Sequence, residues 1–122
     1  MAFFDRARPL LLLLAGLIGA AGVALTAAST HLGAESFLGP ASAMCLAHAP
    51  AILALYLAND KVRTASLAAL TMALGTVLFA GDLASRQFLG ASLFPMAAPS
   101  GGMLMIGGWI IVALGAFLPV RA

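Results

Sequence analysis

Four long apolar runs separated by short polar connections organise this chain. They cover about residues 10–30, 40–58, 62–82 and 100–118. Each is close to the ~20 residues that a helix rising ~1.5 Å per residue needs to cross a hydrocarbon core of roughly 30 Å. The pattern predicts an all-α polytopic integral membrane protein: a compact four-transmembrane-helix bundle in one domain spanning residues 1–122. Local signals set its expected joints. Pro9 stands at the predicted start of the first helix, where a missing N–H costs nothing. Pro40 opens the second helix, and Asn59 and Asp60 turn the chain after it. Ser100 is placed to cap the fourth, which is expected to stop at Pro119. The stretch DLASRQFLGASLFPMAAPS is too polar at its start, and too broken by Pro95 and Pro99, to be a fifth span. Its middle, FLGASLF, is expected to lie along the outer interface.

Charge adds a direction to this threading. Arg6 and Arg8 precede the first run, Lys61 and Arg63 separate the second from the third, and Arg121 follows the fourth, while the other two connections hold only Arg86. Basic residues in every second gap predict both termini on the cytoplasmic side. With 63% hydrophobic and 8% charged residues, the chain has too little polar surface to cover a water-soluble globule. The net charge of +2 is accounted for by the membrane anchors, so no nucleic-acid partner is expected. Arg6 and Arg8 followed by LLLLAGLIGAAGVAL imitate a secretory signal, but the apolar stretch is long enough to span, and an uncleaved first helix is expected.

Small residues recur at helical spacing, as close backbone approach in lipid requires. Gly16, Gly19 and Gly22 form a stripe in the first run, Ala65, Ala69 and Ala73 one in the third, and Gly101, Gly108 and Gly115 one in the fourth. The last three fall seven residues apart and so occupy one face. They predict a tight monomeric bundle in preference to a dedicated oligomer face. The lone Cys45 excludes an internal disulfide and is read as packing.

The segments VALTAASTHL, AMCLAHAPAILAL, LGTVLFAGDL and APSGGMLMIGGW stand here in the order they take in one family. The chain resembles the small four-span proteins of domain-of-unknown-function family 423, which include bacterial YgdD-like inner-membrane proteins and the eukaryotic transmembrane protein 256 group. Leu74, Gly75, Thr76, Leu78, Phe79 and Gly81 carry the resemblance in the third run. Pro99, Gly101, Gly102, Gly108 and Trp109 carry it in the fourth. His31 matches the histidine ending the family's first helix, and His48 the one within its second. Thr26 to Thr30 depart from the family's Gly-Ala-Phe-Gly-Ala run before that histidine, and Asp82 stands where members commonly have a hydroxyl. Together with the charge pattern, the resemblance implies a bacterial inner membrane. It implies no activity, because the family is named for lacking an established one.

Ionisable groups inside a span are the first functional suspects, since a charge in hydrocarbon costs several kcal/mol. His48, about 12 Å below Pro40 by helical rise, lies near the midplane and is expected to be neutral there. Thr76 lies at comparable depth on the third helix, so a His48–Thr76 hydrogen bond is expected, in a structural role. Pro50 frees the Leu46 carbonyl, which His48 or a water could serve. A haem would need two histidines at one depth, and His31 belongs to the outer interface, so no cofactor and no metal are expected. Asp82 is placed to cap the glycine-rich start of the last helix. Trp109 is expected to be buried with its N–H on a carbonyl or a threonine. With no nucleophile beside a base, no phosphate loop and no paired carboxylates, the expected function is non-catalytic: an accessory or stabilising component, in lipid, of a larger membrane complex or a homo-oligomer. The alternative is a small transporter or channel subunit working through His48.

Overall fold

The computed structural model describes residues 2–119, with residues 2–7 described as backbone only. Arg121 and the side chain of Arg6 lie outside it. The described residues form helices α1 (Ala2–His31), α2 (Glu35–Leu57), α3 (Ala65–Phe88) and α4 (Ala97–Leu114), followed by a single 3-10 turn, Gly115–Phe117. There is no strand among them. All four helices are long and apolar enough to cross a membrane.

Helix ends depart from the expected joints in ways that the backbone explains. Pro9 lies inside α1 and does not start it. α2 begins at Glu35, ahead of Pro40. An acidic residue in the first turn is favoured by the helix dipole. The first connection therefore shrinks to residues 32–34, where Gly33 takes a left-handed φ of 64° and the Ala34 N–H donates to the Ser29 carbonyl at 3.0 Å. α3 starts at Ala65, not at 62, and runs on to Phe88, so the polar DLASRQ stretch is helical and ends outside the expected span. α4 starts at Ala97 after Met96, whose φ is 68°. Ser100 does not cap it: its N–H already donates to the Met96 carbonyl at 2.9 Å. Pro99 is tolerated in that first turn because its N–H would have no helical acceptor.

Each helix packs on its neighbour in sequence, α1 on α2, α2 on α3 and α3 on α4, with a smaller contact between α1 and α3. α1 and α4 flank the α2–α3 pair without a substantial interface of their own, so the expected compact bundle is open on one side. Leu11, Leu38, Ile52 and Met72 are fully buried, and alanines fill the space around them. Ala65, Ala69 and Ala73 are all buried, as their spacing predicts.

The glycine stripe of α4 is the closest seam in the molecule. A Cβ on Gly101 would sit 2.6 Å from the Phe79 nitrogen and 2.7 Å from the Gly75 carbonyl oxygen. One on Gly108 would meet Met72 Cγ at 2.5 Å, and one on Gly115 would meet Thr64 Oγ1 at 2.7 Å. Gly101 and Gly108 thus lie along one ridge of α3, with backbone against backbone at Gly101, and Gly115, just past the end of α4, continues the line onto the Thr64 side chain ahead of α3. Thr64 Oγ1 adds a hydrogen bond to the Ile111 carbonyl at 2.9 Å, and Asn59 donates to Ser66 across the α2–α3 turn. The α1 stripe is only partly used. A Cβ on Gly22 would crowd Leu46 at 2.8 Å and one on Gly19 would rest on Ala49 at 3.5 Å, whereas Gly16 faces no atom within 4 Å.

Candidate functional site

His48 and Trp109 meet across the molecule. His48 lies thirteen residues after the first residue of α2, and Trp109 twelve after the first residue of α4. The two helices run in the same direction, so helical rise brings both side chains to one level, about 18–20 Å from those ends. Trp109 Nε1 donates to His48 Nε2 at 3.0 Å, with the rings edge-on, 5.9 Å between centroids and 61° between planes. The other ring nitrogen, Nδ1, is 2.9 Å from the Met44 carbonyl, one turn back on α2.

This geometry selects a tautomer. An indole N–H can only donate, so Nε2 must present a lone pair, and the contact with a carbonyl then requires the proton on Nδ1. His48 in this arrangement is a neutral imidazole with both nitrogens engaged. It is 5% exposed, whereas Trp109 is 48% exposed and forms the outer wall of the pair. Three expectations are corrected here. The partner of His48 is Trp109 and not Thr76, because the Thr76 hydroxyl donates to the Met72 carbonyl in its own helix at 2.7 Å, the back-bond always open to a helical threonine. Trp109 is half-exposed and bonds a ring nitrogen, neither buried nor bonded to a carbonyl or a threonine. His48 also serves the Met44 carbonyl and not that of Leu46, which Pro50 frees.

The second polar cluster closes the far end of α3. Asp82 is completely buried, and its Oδ1 accepts from Ser92 Oγ at 2.7 Å and from the Leu93 N–H at 2.8 Å. Its Oδ2 accepts from Arg86 Nε at 3.1 Å, one turn on, with the arginine side chain 40% exposed. Ser85 Oγ donates to the Ala91 carbonyl at 2.6 Å. The carboxylate thus fastens the α3–α4 connection, and the expected cap of α4 by Asp82 is corrected: α4 has no side-chain cap bond. Ser92 is not legible as a partner, since it stands in FLGASLF, whose apolar residues point to an interfacial segment and not to a hydrogen bond with Asp82. His31 is exposed at the end of α1. Among the described residues, no three of His, Cys, Asp and Glu are grouped to hold a metal ion.

An all-helical protein of four long apolar helices, with the buried side-chain polar atoms of the described residues hydrogen-bonded, is the class this architecture defines. The model of the family described as protein of unknown function (DUF423) matches residues 16–102, most of the chain, and the chain belongs to that family. Nothing matches it among curated proteins or among solved structures.

Proposed function

We propose that the chain is an integral membrane protein of the bacterial inner membrane, both termini cytoplasmic, that acts without catalysis as an accessory or stabilising component of a larger membrane assembly. The observation that carries this reading is the open side of the helix arc. α4 packs mainly on α3, meets α2 at the His48–Trp109 bond, and turns Met103, Ile106, Ile110 and half of Trp109 outward, leaving a long apolar face beside a bundle that does not close. A partner helix laid there would complete the missing side. The polar interior supports the same reading: His48, Thr76 and Asp82 each have their hydrogen bonds met within the chain. A relay for protons or solutes needs groups free to exchange partners, commonly with an acidic residue at depth.

The test is mild detergent extraction at native expression, with a photo-crosslinker at position 106 or, as control, at buried position 72. A complex larger than the chain itself, crosslinked from 106 but not from 72, is the expected result. A lone chain that conducts protons or solutes in liposomes, with flux abolished by both His48→Gln and His48→Leu, would replace the accessory role by the transporter or channel subunit.

A further inference from the structure

Two cavities adjoin along the α1–α2 seam and share Leu12. One, of about 610 Å³, is lined by Arg8, Pro9, Leu12, Leu13 and Tyr56. The other, of about 290 Å³, is lined by Leu12, Ala15, Gly16, Ala49, Pro50 and Leu53. Together they make a groove that begins at a cation and ends among apolar side chains. Gly16, with no atom within 4 Å of where its Cβ would be, leaves the groove open. A turn further on it shuts, where Gly19 rests against Ala49 and Gly22 against Leu46 and Cys45. From Arg8 to Gly16 the rise is about 12 Å, close to half of a hydrocarbon core of roughly 30 Å. The groove is one leaflet deep.

The rim has matching chemistry. The Arg8 guanidinium lies over the Tyr56 ring, 5.9 Å from its centroid, a cation–π contact that orients the group. A guanidinium held there by a ring face keeps N–H donors that can hold phosphate oxygens in pairs. Lys61 and Arg63 belong to the α2–α3 connection at the same end, with Asp60 as the acidic residue among them, and all three are exposed.

We propose that this groove binds an anionic glycerophospholipid of the cytoplasmic leaflet, its phosphate on Arg8 and one acyl chain running over Leu12 to Gly16 and Pro50. The inference rests on the membrane reading above. A basic pocket between helices at the cytoplasmic side is the expected form of such a site. A helix, from a second copy or another protein, fits less well: it needs a surface along its whole length, and this groove closes midway.

Native mass spectrometry of the full chain, released from micelles supplied with phosphatidylglycerol and phosphatidylcholine in equal amounts, reads the preference. About fivefold more retained phosphatidylglycerol is expected, the order set by one cation at an anionic surface. Arg8→Gln should remove that preference. Gly16→Leu, which fills open space and keeps the fold by circular dichroism, should reduce retention of both lipids. Excess inorganic phosphate should not displace the lipid, because it lacks the chain. Equal retention of the two lipids, or parent-like retention by both variants, would overturn the proposal. Resistance of the protein to alkaline carbonate extraction tests the membrane reading by itself, so a carbonate-resistant chain without lipid preference refutes only the lipid site.

Discussion

Gly101 and Gly102 are neighbours in the first turns of α4, and exchanging each for alanine isolates what the α3–α4 seam costs to disturb. Both substitutions gain the same helix propensity, up to ~1 kcal/mol per glycine replaced, so that contribution cancels in the comparison. What differs is the space. The added methyl of Gly102→Ala meets nothing within 4 Å, whereas that of Gly101→Ala falls 2.6 Å from the Phe79 nitrogen, 2.7 Å from the Gly75 oxygen and 3.0 Å from Phe79 Cα. Those are backbone atoms and cannot rotate away. The helices must separate by several tenths of an ångström to about 1 Å, and overpacking of this kind costs about 1–3 kcal/mol. The expected ordering is Gly102→Ala at or above the parent and Gly101→Ala below Gly102→Ala by about 1–3 kcal/mol. Reversible unfolding in mixed micelles with increasing denaturing detergent, followed by far-ultraviolet circular dichroism, gives the difference. Equal midpoints for the two variants, or a stabilised Gly101→Ala, would refute the backbone-contact account of the seam.

A double-mutant cycle between His48→Leu and Trp109→Phe should show coupling of about 0.6–2 kcal/mol, and one between His48→Leu and Thr76→Val near zero; the reverse would restore the threonine as the partner. Because Trp109 is the sole tryptophan, its indole N–H resonance should move on His48→Leu and move less on His48→Gln, which keeps an acceptor. Gly108→Leu should destabilise far more than Ile111→Leu in the same detergent assay, since Met72 already lies at 2.5 Å from a Cβ there. Asp82→Ala should make the 89–96 connection susceptible to limited proteolysis while Arg86→Ala does so much less; equal protection would show that the loop holds itself. Reporters inserted within NDKVR should read cytoplasmic, and those in HLGAESF and ASRQFLG external; an external reading at NDKVR would invert the topology.

The four helices were legible because their apolar runs are long, and length resists local noise. Their ends were not. Pro40 looked like a helix start, but a proline near the first turns forfeits only one interior bond, and Glu35 supplied an earlier start that a hydropathy boundary conceals. The α4 seam was legible for a physical reason: seven-residue spacing defines a face whatever lies opposite. Which helix lay opposite was not, and Gly16 continues a stripe on paper that the seam leaves open. The His48 partner turned on the same missing information. His48 and Trp109 stand at similar offsets from the expected helix starts, Pro40 and Ser100, so their common level could have been read. Thr76 shared that level too, and only the tertiary arrangement shows that its hydroxyl is spent locally.

The open arc has a consequence for assembly during synthesis. Because every major interface joins helices adjacent in sequence, the fold has the low contact order that lets structure form early and locally. Little in the first three helices must wait for the fourth beyond His48 Nε2, whose donor is Trp109. α1 and α2 can close as a hairpin through the turn at Gly33, α3 can dock as it emerges, and α4 is added last to a surface already made. The cost of this order falls on the final step: a fault in the glycine seam would release α4, leaving the ridge of α3 uncovered and His48 Nε2 without its donor.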